Sequence, residues 1–306
     1  MTTGATTTRP PGRSAGSGEL VTSTISAGRR FRNTLATVLI WLTLLVAIVP
    51  LGFVLYYLVL KGAHLLSWSF LTKPIPTFRE LGPGMGPAVL GTILITFGAT
   101  VMAVPLGILA AVYVNEYGAG NRLSSFVRFM SDVMAGVPSI VMGLFIYTIF
   151  TLRFHRVSGF GGSLALACLM LPIVIRATES MLRLVPRDLR EASYALGCTK
   201  SRTILTVVLP AAIPGITSGC LLAVARAAGE TAPLLFTIGL IESKANRNLF
   251  SGANTTLSAQ IFRLAQQPFV GSQQRAWTAA LTLILLVLIL TVTARVVASR
   301  FSVKAS

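Results

Sequence analysis

The chain has 306 residues, of which 53% are hydrophobic and only 11% charged. That is about half the charge of an average globular chain, too little to cover a water-facing surface, so the composition excludes a soluble globular fold and points to helices solvated by lipid. A formal net charge of +17 would suggest nucleic acid in a soluble protein, but here the basic residues lie in short segments between long apolar runs, where they orient helices and meet anionic lipid head groups, leaving no basic face for nucleic acid.

Residues 1–28 are rich in Thr, Ser, Gly, Pro and Arg without an apolar period, and are expected to form a disordered tail. Residues 29–306 read as one polytopic transmembrane domain. Arg29, Arg30 and Arg32 precede an uncharged run, Leu35–Leu60. It is longer than a signal-peptide core and can span a bilayer of about 30 Å, so it is expected to be a retained helix. Five more spans follow: Ala88–Val114, Phe129–Leu152, Ser163–Val185, Pro214–Leu240 and Trp277–Ala298. Gly229 and Pro233 predict a kink or break in the fifth span overall. The expected architecture is therefore all-α with six transmembrane helices.

Six spans put both ends on one side of the membrane. The excess of Lys and Arg, much of it in the N-terminal tail, places both ends in the cytoplasm. The segments 61–87 and 243–276 then face outward, either as plain connectors or as docking surfaces for a soluble partner. Asp132 is expected at the cytoplasmic interface, and Arg183 and Arg295 to snorkel to head groups. Cys168, Cys198 and Cys220 are an odd number and lack metal spacing, so they read as small packing residues. His64 and His155 have no partner nearby and are given no role. Gly215 and Gly219 make a GxxxG face suited to close helix packing, including against a second membrane chain.

Residues 186–210 read PRDLREASYALGCTKSRTILTVVLP. Helix formers run from Arg187 to Leu196, Gly197 stands where a left-handed C-terminal cap belongs, and Thr199 or Ser201 can cap a second helix. Small residues at Ala192, Ser193 and Ala195 allow another protein to approach this knob closely. Glu191, Ala192 and Ser193, then Gly197, then Val207, Leu209 and Pro210 carry the spacing of the EAA loop of ABC importer permeases, with Ser for Ala and Val for Ile. In that family the loop docks in a groove on the ATPase subunit. The chain has no G-x-x-x-x-G-K-[ST] phosphate loop of its own, so a docking knob implies a separate ATPase.

Arg176 and Glu179 in span four, and Arg226 and Glu230 in span five, lie near mid-membrane. Offsets of three and four put each pair on one helix face. A central charge costs at least about 2.5–3.5 kcal/mol on insertion scales, so all of them need partners or a polar cavity. Two readings stand: mutual neutralisation between the helices, or an anion path in which the arginine fork meets oxyanion oxygens.

ARAAGETAPLLFTIG (225–239), IRATESMLRLVP (175–186) and the EAA loop together closely resemble the A-type permeases of phosphate-specific ABC importers, over about residues 35–300. The resemblance implies the type I importer permease fold in the bacterial plasma membrane. It implies four kinds of contact: a C-type second permease, two copies of an ATPase subunit, an extracytoplasmic phosphate-binding protein, and membrane lipid. It also implies that Arg176, Glu179, Arg226 and Glu230 match the family's membrane charges, and that the chain is a non-catalytic subunit with no cofactor or metal. The rival readings are a permease for sulfate or molybdate, a polytopic membrane enzyme, which would need a nucleophile or metal cluster at a membrane surface, and a channel, which has no use for an ATPase dock.

Overall fold

The computed structural model describes residues 27–118, 120–154, 157–240 and 245–301. The expected tail, apart from Ala27 and Gly28, and His155 lie outside the described residues. The chain divides into two units, Met1–Val54 and Leu55–Ser306. The first unit carries the larger part of α1 (Ala27–Gly62), a continuous helix despite Pro50. The second carries everything else: α2 (Trp68–Thr72), α3 (Gly86–Val112), α4 (Arg122–Gly136), α5 (Ser139–Ile146), α6 (Gly159–Leu184), α7 (Arg187–Ala195), α8 (Lys200–Thr203), α9 (Leu209–Gly229), α10 (Ala232–Thr237), α11 (Leu257–Ala265) and α12 (Val270–Phe301). π turns extend α3 through Tyr117, extend α5 through Leu152, and join α8 to α9 over Ile204–Val208.

Among the described residues five helices are long and apolar enough to cross a membrane, or six if a bent pair counts as one span. That pair is α4 and α5, and it is where the structure departs most from the expected spans. Phe129–Leu152 is no straight helix. It bends by 107° between Gly136 and Ser139. Val137 is extended, with ψ at 127°, because the ring of Pro138 disfavours the helical region for the residue before it. The expected break in span five is present. α9 ends at Gly229, Glu230 is extended, and Pro233, which cannot donate a backbone hydrogen bond, lies in the first turn of α10. Ser258 Oγ donates to the Glu230 carbonyl at 2.9 Å, satisfying an acceptor near the break.

Span five also begins earlier than expected. Helix runs without a gap from Lys200 to Gly229, rather than from Pro214. Pro210 would clash with the carbonyl four residues back in a regular helix. The π turn immediately before it widens the backbone there, so Pro210 stays inside a continuous element.

The core of the second unit is built where α3, α6 and α9 pack: Ile95, Ala99 and Ala103 meet Leu166, Met170 and Val174, with Ala223 and Ala227 closing the third side. Small residues set the spacing, since apolar side chains gain nothing over lipid and only close packing holds such helices together. Gly107 lies against Val174, and Gly215 and Gly219 lie against Met181 and Ala177 of α6. The GxxxG face is therefore occupied within the chain and is not left for a second permease. Gly91 is tighter still. A Cβ there would run into the backbone carbonyl of Thr255, which has no rotamer to escape into. Gly91→Ala is expected to cost about 1–3 kcal/mol of overpacking, read as a lower melting temperature in detergent, whereas Gly136→Ala, with open space around it, should leave that temperature unchanged.

Candidate functional site

Residues 186–210 fold as a knob at the root of span five. α7 ends in a Schellman motif. Gly197 takes φ +79°, its N–H donates to the Tyr194 carbonyl at 2.9 Å, and the N–H of Cys198 donates to the Ser193 carbonyl at 3.1 Å. Thr199 occupies the N-cap position of α8 but makes no side-chain cap; its backbone carbonyl accepts from Thr203 N–H at 2.9 Å. Ser193 is buried and hydrogen-bonds Thr203 at 2.9 Å, so it ties the two arms of the knob together and does not face outward. Glu191, Ala192 and Gly197 are exposed, and Leu196 is 85% exposed at the apex. Leu209 and Pro210 sit at the root, beside a cluster formed by Leu182, Val185, Val208, Ala212 and Ile216. The motif thus splits into an outward face, an internal tie and a base.

The membrane charges do not cross-pair between spans four and five among the described residues. Arg176 is paired with Asp132 of α4. Glu179 accepts from Arg128 Nε at 2.9 Å and from Arg183 Nη2 at 2.6 Å, and its side chain is only 8% exposed. Arg226 stands 3.6 Å from Glu230, an ion pair without a hydrogen bond. Arg176 and Glu179 therefore share a helix but not a partner. Asp132 and Arg183 do not simply face the interface as expected; both are drawn into this cluster. Arg128, Asp132 and Arg183 are partners of these charges that sequence reasoning did not assign. Their signal was available in part: Arg128 and Asp132 are four apart on α4, and Arg183 is four beyond Glu179.

Arg226 and Glu230 line a narrow crevice against Leu169, Met170 and Ile173 of α6, about one turn from Arg176. The side chains of Arg176 and Arg226 are 56% and 69% exposed. The cluster is thus a partly open set of guanidinium forks backed by carboxylates, chemistry suited to an oxyanion.

A family profile for the binding-protein-dependent transport system inner membrane component matches residues 103–303. The chain is 43% identical over 276 residues to the phosphate transport system permease protein PstA of Yersinia pestis, covering 89% of this chain and 91% of that protein. It is 44% identical over 272 residues to the protein of the same name from Mycobacterium leprae, covering 86% and 87% of the two chains. Among solved structures, a chain of a bacterial ABC transporter involved in the import of the acidic polysaccharide alginate aligns with TM-score 0.60 at 14% identity, over 89% of this chain and 96% of that one. A chain of the inward-facing MetNI methionine ABC transporter aligns with TM-score 0.55 at 18% identity, over 71% and 94%. These two likenesses are of fold: the all-α architecture is that of a type I ABC importer permease. With the fold, the knob and the sequence identity in agreement, the chain belongs to the binding-protein-dependent transport system inner membrane components, within the family of PstA phosphate transport permeases.

Proposed function

We propose that this chain is one of the two permeases of an ATP-driven importer of inorganic phosphate, and that Arg176 and Arg226 line its half of the path. The observation that carries this is the exposure of two arginines in the membrane-spanning helices, 56% and 69%. Such groups do not face lipid cheaply. The face that bears them is therefore closed by a second permease across a polar route. Each path arginine keeps a carboxylate partner, Asp132 for Arg176 and Glu230 for Arg226, which yields its place when the anion arrives. Glu179, held by Arg128 and Arg183, keeps α4 against α6 beside the route.

The knob with Glu191, Ala192 and Gly197 outermost meets an ATPase subunit. Both chain ends are then cytoplasmic, and an extracytoplasmic phosphate-binding protein delivers the anion from the other side. Reconstitution with the partner permease, the ATPase and the binding protein tests the reading. ATP-driven, vanadate-sensitive accumulation of phosphate in proteoliposomes is expected, with sulfate and molybdate at background. Accumulation of sulfate or molybdate in preference to phosphate would assign the path to another oxyanion, and passive flux without ATP would assign it to a channel.

A further inference from the structure

The end of α3 is fastened to the knob by contacts that lie outside the EAA motif. Arg190 Nη2 donates to Glu116 Oε1 at 3.0 Å and to the Leu182 carbonyl at 2.9 Å, and Nη1 donates to the Val185 carbonyl at 3.3 Å. Glu116 is 7% exposed and Arg190 19%. Asn115 Nδ2 donates to the same Glu116 oxygen at 2.8 Å. A second fastening lies alongside. Tyr117 Oη is 3.3 Å from Ser201 Oγ, and Lys200 Nζ lies 5.0 Å from the centre of the Tyr117 ring. One arginine of α7 therefore grips three elements: the π turn of α3, the C-terminal turn of α6, and the bend at Val185 that leads into α7 itself.

From this geometry we infer that Arg190 is a positioning residue, a strut that converts movement of the knob into movement of α3 and α6. The inference rests on the reading that the knob meets an ATPase. A knob free to pivot on the Val185–Pro186 bend would absorb the motion of its partner. Arg190 removes that freedom, because a planar fork bonded to two carbonyls and a carboxylate at once resists rotation in every direction. The load then passes along two routes. One enters α3 at Glu116. The other enters α6 at Leu182, next to Arg183, whose guanidinium bonds Glu179, which in turn holds Arg128 of α4. Arg176 lies on α6, about two turns before Leu182. A polar cavity of about 380 Å³, lined by Asn115, Glu116, Arg183, Val185, Arg187 and Arg190, flanks the strut and gives it room to tilt as a unit.

The test uses the reconstituted complex carrying Glu116→Gln, Arg190→Met, or both. Glu116→Gln is nearly isosteric and leaves both carbonyl bonds of Arg190 in place, so it serves where Arg190→Met fails to fold. Three quantities are read: ATPase recovered with the permeases, ATP hydrolysed, and phosphate accumulated per ATP. The strut predicts wild-type recovery of the ATPase and continued hydrolysis in Glu116→Gln, with phosphate per ATP lowered about five- to 150-fold, the range of a typical coupling energy. The double variant should be no worse than the poorer single one, because both remove one device. A wild-type phosphate-to-ATP ratio in Glu116→Gln overturns the inference. So does loss of the ATPase from the purified complex, which would place these residues in the dock itself. Failure of the docking reading is distinguishable, since the wild-type chain would then recover no ATPase.

Discussion

Arg226→Gln is expected to lower phosphate uptake by about 10–100-fold while leaving membrane abundance and assembly near wild type. The magnitude follows from losing one charge-assisted hydrogen bond to the moving anion, about 1.5–3 kcal/mol. The neutrality for folding follows from the geometry. Arg226 is 69% exposed, stands 3.6 Å from Glu230 and shares no hydrogen bond with it, so its removal breaks no hydrogen bond that holds the helices together. Arg226→Lys should also transport poorly, because it keeps the charge and loses the fork. Arg128→Gln makes the opposite case. It removes a hydrogen-bonded partner from a carboxylate that is 8% exposed, so abundance should fall before transport does. Uptake and abundance measured side by side separate the two. If Arg226 only balances Glu230, then Arg226→Gln with Glu230→Gln leaves no unpaired charge and should recover wild-type uptake. That recovery would remove Arg226 from the path.

What was legible in the sequence was legible because its cause is local. A left-handed cap needs a residue without a Cβ penalty, and Gly197 supplies it at φ +79°. Pro233 follows Gly229 closely in a helical run, and the break is there, at Glu230. Long apolar runs become long helices, and four of the expected six spans each fall on a single helix, although α1 begins eight residues and α12 seven residues before the expected limits. The misreadings have non-local causes. Pro138 was as visible as Pro233, but a mostly apolar stretch on both sides of it concealed a 107° bend. Pro210 carries the same chemistry and breaks nothing, because a π turn absorbs it. Which charges pair depends on how α4 lies on α6. Arg128 and Glu179 are 51 residues apart, and Arg190 and Glu116 are 74 apart. No spacing rule reaches that far, so the partner of Arg176, the hold of Arg128 on Glu179, and the whole fastening between α3 and the knob became visible only in the fold.

At the knob, the largest effect is expected from combining Gly197→Val with Glu191→Arg: ATP-driven uptake should fall to background while the protein still reaches the membrane. The two changes act differently. Nothing lies within 4 Å of the place where a Cβ on Gly197 would stand, so valine meets no neighbour. Its penalty is in the backbone, where a β-branched residue at positive φ is a true outlier costing about 1–3 kcal/mol. Relief of that strain unwinds the Schellman turn and moves the exposed Leu196. The cause is conformational, so the outcome should be graded by conformation and not by size. Gly197→Asn, whose side chain tolerates the left-handed region, should keep most activity, although asparagine is as bulky as valine. Glu191→Arg leaves the fold untouched, since Glu191 is exposed and makes no hydrogen bond or ion pair among those found for the described residues. Its effect is on the partner: reversing the charge on the face that meets the ATPase upsets the charge complementarity of that contact, so the ATPase should be lost from the purified complex. The measurement is ATPase recovered on the tagged permease, followed by uptake. Equal activity of Gly197→Asn and Gly197→Val would show that the cap's shape is irrelevant. Full uptake by the combined variant would mean that the knob is no dock at all.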